Sequence, residues 1–393
     1  MRDVVIVSGM RTPIGDFLGA LKSLTAVELG TIALKAAIEK AGISAEQIEE
    51  VLAGHVYQAG CKGNPARQVA LGAGCNVETV AATINQQCPS SMRAAEILVQ
   101  EIMLGKIEIG AAVGFESMTN VPHLLHKARD GFRMGGGEII DSLLYDALID
   151  PYNNYHMGVT AENLAEQYGI SREEQDAHAL LSHQRACQAI KEGKFRDEIV
   201  PVEVKLKKGT RIIDIDEHPN GETNQDSLAR LRPVFKKDGT VTAGNASSLN
   251  DGAAALIIMS KDKAEELGLK PLARIVATAS AAVDPKVMGI GVVPAVERAL
   301  KFANKSLDDI DYWEINEAFA AQFLAVNREL KIDIENVNAN GSGVSLGHPV
   351  GSTGIRLIVT MLNEMKRRGV QYGCASLCAG GGPAAAIIVE AID

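Results

Sequence analysis

The chain has 393 residues, 46% of them hydrophobic and 22% charged, and a formal net charge of −10. This balance suits a globular protein of two or three domains with a large core, and it argues against nucleic acid or an anionic membrane as main partner, since both demand a basic surface. Six cysteines (Cys61, Cys75, Cys88, Cys187, Cys374 and Cys378), none in a CxxC pair, argue against a disulfide framework or a structural zinc site and predict reduced thiols.

The first residues, MRDVVIVSGMRTPIG, lack the basic, apolar and small-residue regions of a signal peptide, and no apolar run reaches membrane-spanning length, so the expected location is cytoplasmic. Strand-like runs such as VVIV and ARIV alternate with amphipathic helical runs, which predicts an α/β protein with sheets covered by helices. Along the first half, AVELGTIALKAAIEKAGISAEQIEEV gives a helix, a glycine stop, a turn opened by Ser44, then Ile48 and a strand. A polar loop NQQCPSS follows, then the helix MRAAEILVQEIML before Gly105 and the apolar strand IEIGAAVGFES.

Residues 119–249 have a different, more charged and loop-rich texture. SREE at Ser171–Glu174 has the form of a capping box, and Ala177, Leu180, Leu181, Gln184 and Ala186 continue a helical face toward Gly193. Basic residues cluster at Lys205, Lys207, Lys208 and Arg211, and again at Arg230, Arg232, Lys236 and Lys237; they suit an anionic small ligand or an ordinary solvated face. SLNDGAAALIIMS then returns to an apolar strand that belongs with the first half.

From there the pattern repeats. PAVERALKFANKSLDDIDYWEI places Ser306 and Ile310 where Ser44 and Ile48 stood. The polar loop NANGSGVSLGHPVGST, the helix GIRLIVTMLNEMKRR before Gly369 and the strand YGCASLCAGGG complete it. A duplicated α/β unit with an insertion explains this order, and a pseudo-twofold axis would bring the Cys88 and His348 loops together at matching helix N-termini.

Four residues carry candidate chemistry. Cys88, before Pro89, is expected as an N-cap whose pKa the helix end lowers toward thiolate, although a free cysteine also serves as a small buried hydrophobe. His348, in a glycine-rich loop, is either its base or a satisfied structural histidine. Cys378 ends an apolar strand before Gly380–Gly382, which either present N–H groups to an oxyanion or form only a tight turn; the spacing is not that of a dinucleotide loop. Asn316 either caps the helix of NEAFAAQ or positions a water.

With Cys88, Asn316, His348 and Cys378 in this order, and with RTPIG, NPARQVA, INQQC, ESM, YHMG, TAGNAS, NEAFAA, GHPVGSTG and LCAGGG along the chain, the sequence resembles the thiolase family from end to end, specifically its acetoacetyl-CoA-forming branch. The resemblance implies two βαβαβαββ halves stacked as five layers, α/β/α/β/α: residues 1–118 with 250–270, and residues 271–393. Residues 119–249 would form a loop domain that covers CoA and serves oligomerisation. It implies a ping-pong Claisen condensation of two acetyl-CoA to acetoacetyl-CoA and CoA through acetyl-Cys88, with His348 as base toward Cys88 and Cys378 as base toward the second substrate. One oxyanion hole would be His348 with a water on Asn316, the other the N–H groups of Cys88 and Gly380. His156, Met157, Met288 and Phe319 would shape the acyl pocket, with Ser227 and Ser247 as further substrate or CoA contacts. No cofactor is implied, because the CoA thioester is itself the substrate. The partners implied are acetyl-CoA, acetoacetyl-CoA and CoA, with a homotetramer joined through HKARDGFRMGGGEIID.

Some positions depart from the family pattern. Pro89, Ser90 and Ser91 replace the usual glycine-led start, NANGSG and GGGPAAA alter the rim, and Asn220 stands where many members carry an arginine. The alternatives are a degradative 3-ketoacyl-CoA thiolase for longer chains, a non-catalytic acyl-CoA carrier, and a thioester hydrolase with no use for Cys378.

Overall fold

The computed structural model describes residues 2–392. The first half runs β1 (Val4–Arg11), α1 (Ala26–Ala41), β2 (Glu50–Gly54), α2 (Pro65–Ala73), β3 (Val80–Ile84), α3 (Ser90–Met103) and β4 (Ile109–Ser117). The intervening segment carries α4 (Met157–Tyr168) and α5 (Arg172–Lys191). β5 (Asn250–Ser260) closes the first half, and β6 (Ala273–Ala282), α6 (Val292–Ala303), β7 (Tyr312–Ile315), α7 (Ala320–Leu330), α8 (Thr353–Arg368), β8 (Tyr372–Cys378) and β9 (Pro383–Ala391) form the second.

Strand order is β7-β8-β9-β6-β1-β5-β4-β2-β3, so the two halves are mirror sequences that meet where β1 pairs with β6 at Val5↔Arg274. Within each half the outer pairs are parallel and the inner pairs antiparallel. The parallel strands are covered on both faces, and their apolar runs follow from that. Three cores account for the layers. α1 and α2 bury Leu29, Leu34 and Val69 on the outer face of the first sheet, beside Val51 and Val113. α3 and α8 lie between the sheets, where Leu98 and Ile358 meet Leu52 and Leu256 from one side and Leu377 and Ile387 from the other. α6 and α7 cover the far face through Val296 and Phe323, against Trp313 and Ile388. The result is the five-layer α/β/α/β/α arrangement.

Local capping reproduces the repeat in detail. Ser44 and Ser306 each open a 3-10 turn with a reciprocal capping box, and each turn ends on an isoleucine, Ile48 or Ile310. One element is not duplicated: the second-half counterpart of β3 is reduced to a single bridge between Trp313 and Val337. The side chain of Asn338 takes over its role, accepting from the Ile315 N–H (2.8 Å) and donating to the Ile315 carbonyl (2.8 Å).

Ser171 caps α5 through a full capping box. The expected face holds only in part: Ala186 is buried and Leu180 and Leu181 are half-buried, but Ala177 and Gln184 are exposed, and the buried positions include Gln175, Asp176, His178, Ser182 and His183. The reason is the partner. α5 docks on the buried carboxylate of Glu317, which takes hydrogen bonds from His178 Nε2 (3.0 Å) and Ser182 Oγ (2.6 Å), so the helix buries donors alongside the small apolar Ala179, Ala186 and Ala189. Residues 126–138 of the proposed arm are exposed, Met134 at 97%. Among the described residues no helix is long and apolar enough to cross a membrane.

Candidate active site

The parallel strands β7 and β8 pair Ile315 with Ser376, so Asn316 directly follows β7 and Cys378 is the last residue of β8, at the same end of the sheet. Asn316 does not cap a helix, because α7 begins only after Phe319. It is fully buried, its backbone N–H donates to the Ser376 carbonyl (3.0 Å), and its Nδ2 stands 3.4 Å from His348 Nε2. Its Oδ1 is a buried acceptor with no hydrogen-bond partner.

His348 follows the short helix Gly343–Leu346 and Gly347. Gly347 is required twice over: its φ is +99°, and a Cβ there would lie 2.5 Å from the amide of Asn250. That amide accepts the His348 backbone N–H (2.8 Å), fixing the loop to β5 across the halves. His348 Nδ1 is 2.7 Å from Thr353 Oγ1, whose hydroxyl proton is directed to the Pro349 carbonyl (3.1 Å). Thr353 therefore accepts from Nδ1–H, and Nε2 keeps its lone pair. Burial, reinforced by Arg356, pushes the imidazole down to about 3. At neutral pH it is an uncharged base.

Cys88 lies between β3 and α3, and the structure corrects the expectation for it. Pro89, not Cys88, is the N-cap, with φ −79° and ψ 10° and no side-chain cap bond. Burial pushes the thiol up to about 12, against the pull of the Gly380 and Cys88 N–H groups directed at the sulfur. Desolvation outweighs the helix end, so the resting group is a thiol. Cys378 is fully buried where Cys88 is half-buried as a residue, and its thiol is raised by burial first and then by the proximity of Cys88. Cys88 packs against Val350, two residues beyond His348, in the cluster that contains Tyr57 and Met118. The two sulfurs, the imidazole and the Asn316 amide thus occupy one region at the strand ends.

Gly380 sits in the turn between β8 and β9, and a Cβ there would lie 2.6 Å from Met157 Cε. Met157, Met288 and Phe319 are buried in one cluster with Cys378. His156 stacks on Phe235 at 4.4 Å, its Nδ1 accepts the Gly158 N–H (3.0 Å), and burial lowers its pKa. Phe235 meets Phe319 edge-on at 6.2 Å. Ser247 is half-buried beside this wall, its N–H on the Ala318 carbonyl (2.9 Å). Ser227 stands apart: it is exposed, and its hydroxyl is used in a capping box with Asn224. Asn220 is exposed and spends its side chain on the Glu222 N–H (2.9 Å).

Four contributors escaped the sequence reading. Thr353 orients the base, and its place five residues after His348 was the available signal. Phe235 backs His156, Asn338 holds the strand that carries Asn316, and Glu317 organises α5; each acts through contacts distant in sequence.

Known proteins match the chain along nearly its whole length. Residues 4–262 match the model of the thiolase N-terminal domain and residues 269–391 that of the thiolase C-terminal domain. An acetyl-CoA acetyltransferase of Syntrophomonas wolfei is 51% identical over 395 residues, covering 100% of both chains. The solved structure of acetyl-CoA acetyltransferase from S. wolfei superposes with a TM-score of 0.98 at 49% identity, covering 100% of both chains. That of human mitochondrial 3-ketoacyl-CoA thiolase superposes at 0.97 and 43% identity, covering 100% of this chain and 99% of the other.

Proposed function

The chain belongs to the thiolase family, an acyltransferase class of enzyme, and we propose that it is an acetyl-CoA C-acetyltransferase that condenses two acetyl-CoA to acetoacetyl-CoA and CoA and runs the reverse thiolysis. The observation that carries this reading is the convergence of Cys88, Cys378, His348 and Asn316 at one set of strand ends.

In the first half-reaction His348 Nε2 takes the Cys88 proton as the sulfur attacks the thioester carbonyl. The oxyanion is met by the N–H groups of Cys88 and Gly380. Collapse expels CoA as thiolate, which takes its proton from Cys378, leaving acetyl-Cys88, a Cys378 thiolate and an imidazolium at His348. The Cys378 thiolate then removes the α-proton of the second acetyl-CoA. His348 Nε2–H and a water on Asn316 Oδ1 stabilise the enolate, and that oxygen is an otherwise orphaned buried acceptor. The carbanion attacks the acetyl group, and the expelled Cys88 sulfur recovers its proton from His348. Two thiols are required because Cys88 is occupied as a thioester when the α-proton of the second substrate must be removed, so a second sulfur has to act as base.

The close packing of Met157, Met288 and Phe319, each at 7% exposure or less in the cluster that contains Cys378, supports the acetyl-type substrate over longer chains. The test is CoA-dependent cleavage of acetoacetyl-CoA beside a medium-chain 3-ketoacyl-CoA. Faster cleavage of acetoacetyl-CoA is expected. Preference for the longer substrate would make it a degradative thiolase, and release of free acetate without transfer would make it a hydrolase.

A further inference from the structure

The proton passed from Cys88 to His348 crosses from one half of the molecule to the other, so the proposed acetyl transfer depends on whatever holds the two loops together. Two contacts do so, and neither involves a reacting group. The first is made by Glu116 on β4, which is fully buried. Its Oε2 accepts the N–H groups of Val56 (3.0 Å) and Gly351 (3.0 Å), and its Oε1 accepts that of Tyr57 (3.2 Å). Nδ1 of the equally buried His55 lies between Oε1 (2.8 Å) and the Phe115 carbonyl (3.1 Å), two acceptors, and so carries a proton. Four donors and no acceptor are the partners of an ionised carboxylate. Gly351 stands three residues after His348, while Val56, Tyr57 and Val350 share the cluster against which Cys88 packs. One carboxylate thus fastens the His348 loop to the wall behind Cys88.

The second contact is made by Ser91, three residues after Cys88 in the first turn of α3. Its buried Oγ accepts the N–H of Ile355 (3.1 Å) in the first turn of α8, whose own N-cap residue, Ser352, makes no side-chain cap bond. Ser91 therefore caps the helix of the other half. Thr353, which orients the His348 ring, lies two residues before Ile355. On the second-half side both contacts demand a glycine: a Cβ on Gly351 would lie 2.6 Å from Glu116 Oε2, and one on Gly354 would lie 2.7 Å from the Met92 nitrogen.

We infer that Glu116 and Ser91 are positioning residues, a clamp across the pseudo-twofold axis that sets the path of the proton from the Cys88 sulfur to His348 Nε2. This role extends the acetyl transfer proposed above and rests on it. Neither side chain carries the proton; each acts through the backbone of the opposite loop. A misplacement of about 1 Å between reacting groups costs on the order of 10²-fold in rate, so the clamp bears on rate and not on affinity for CoA. Glu116→Gln keeps the shape but sets an NH2 against two N–H donors whichever way the amide turns, and Ser91→Ala removes a single oxygen.

The test follows two reactions of Cys88 in the whole protein: single-turnover uptake of labelled acetyl from acetyl-CoA, and alkylation by iodoacetamide, which needs the same proton transfer but no CoA. Glu116→Gln should slow both on the order of 10²-fold and Ser91→Ala roughly tenfold. Label should still reach the wild-type amount per folded chain, and the acetyl-CoA concentration for half-maximal rate should change by less than about threefold. Ser352→Ala, which removes a hydroxyl that caps nothing, should leave both rates within about twofold of wild type. Alkylation of the half-buried Cys187 is the internal control. A purely structural role would lower the folded fraction and the melting temperature while the remaining folded chains react at the wild-type rate. That result, or a loss confined to half-saturation, overturns the clamp. Where Glu116→Gln does not fold, Ser91→Ala decides the matter. A wild type alkylated at Cys88 that takes up no acetyl would instead overturn the acetyl-transfer reading, and the clamp is then judged on alkylation alone.

Discussion

The two halves place different groups at the same address. In the first, β2 and β4 pair Gly54 with Gly114, so His55 follows one strand and Glu116 stands on the other, two residues past the paired Gly114. In the second, β7 and β8 pair Ile315 with Ser376, so Asn316 follows one strand and Cys378 stands on the other, two residues past the paired Ser376. One end of the duplicated scaffold therefore holds a buried ion pair, the other a neutral amide and a thiol. The connections that follow differ as well: β8 passes to β9 through Ala379–Gly382, whereas β4 reaches β5 only after the long insertion with α4 and α5. The short turn puts the Gly380 N–H at the Cys88 sulfur, and the insertion lays Met157 against that same turn. Duplication supplies the frame, and the chemistry arises from what breaks its symmetry.

The largest effects come from removing the sulfurs that the two halves contribute. Cys88→Ala and Cys378→Ala should each lower acetoacetyl-CoA cleavage on the order of 10⁴-fold. They should differ in the half-reaction: Cys378→Ala still takes up labelled acetyl from acetyl-CoA, and Cys88→Ala takes up none. Label on Cys378 in the Cys88 variant would erase the division of labour between the halves.

Asn316 tests the second-half address more finely. Asn316→Ala removes the amide beside His348 Nε2 and the buried acceptor Oδ1, and it should lower condensation kcat by roughly 10²-fold with a smaller change in acetyl uptake. Equal losses in both steps would place Asn316 in the fold alone. Burst measurements of CoA release against overall turnover separate the two.

Much of the frame was legible because its signals are local. The Ser44 and Ser306 turns, the glycine stops at Gly42 and Gly369, and the apolar strands are written within a few residues of where they act. Cys88, His348, Cys378 and Asn316 were legible as a set through family motifs, but their ionisation was not. A proline after Cys88 suggested a helix-end thiolate, whereas the enclosed sulfur is decided by desolvation from elements far along the chain. The polar buried face of α5 was hidden for the same reason, since Glu317 lies more than a hundred residues away.

The smallest expected effect concerns pH, and it contrasts the two buried imidazoles. His55 in the first half is pushed up to about 10 by Glu116 and is cationic at neutrality; His348 in the second is pushed down to about 3 by burial and Arg356 and is neutral. Cys88, pushed up to about 12, is likewise neutral. The reactive form, thiol beside neutral imidazole, is lost only as pH falls toward about 3 or rises toward about 12. Acetyl uptake should then vary by no more than about twofold between roughly pH 6 and pH 9, because neither partner changes its proton there. A resting thiolate–imidazolium pair, the arrangement that suits His55 and its carboxylate, would need one of those protons to have moved already. A tenfold rise in the burst of CoA release across that window would show Cys88 titrating, and would put the charged and neutral imidazoles in the wrong halves.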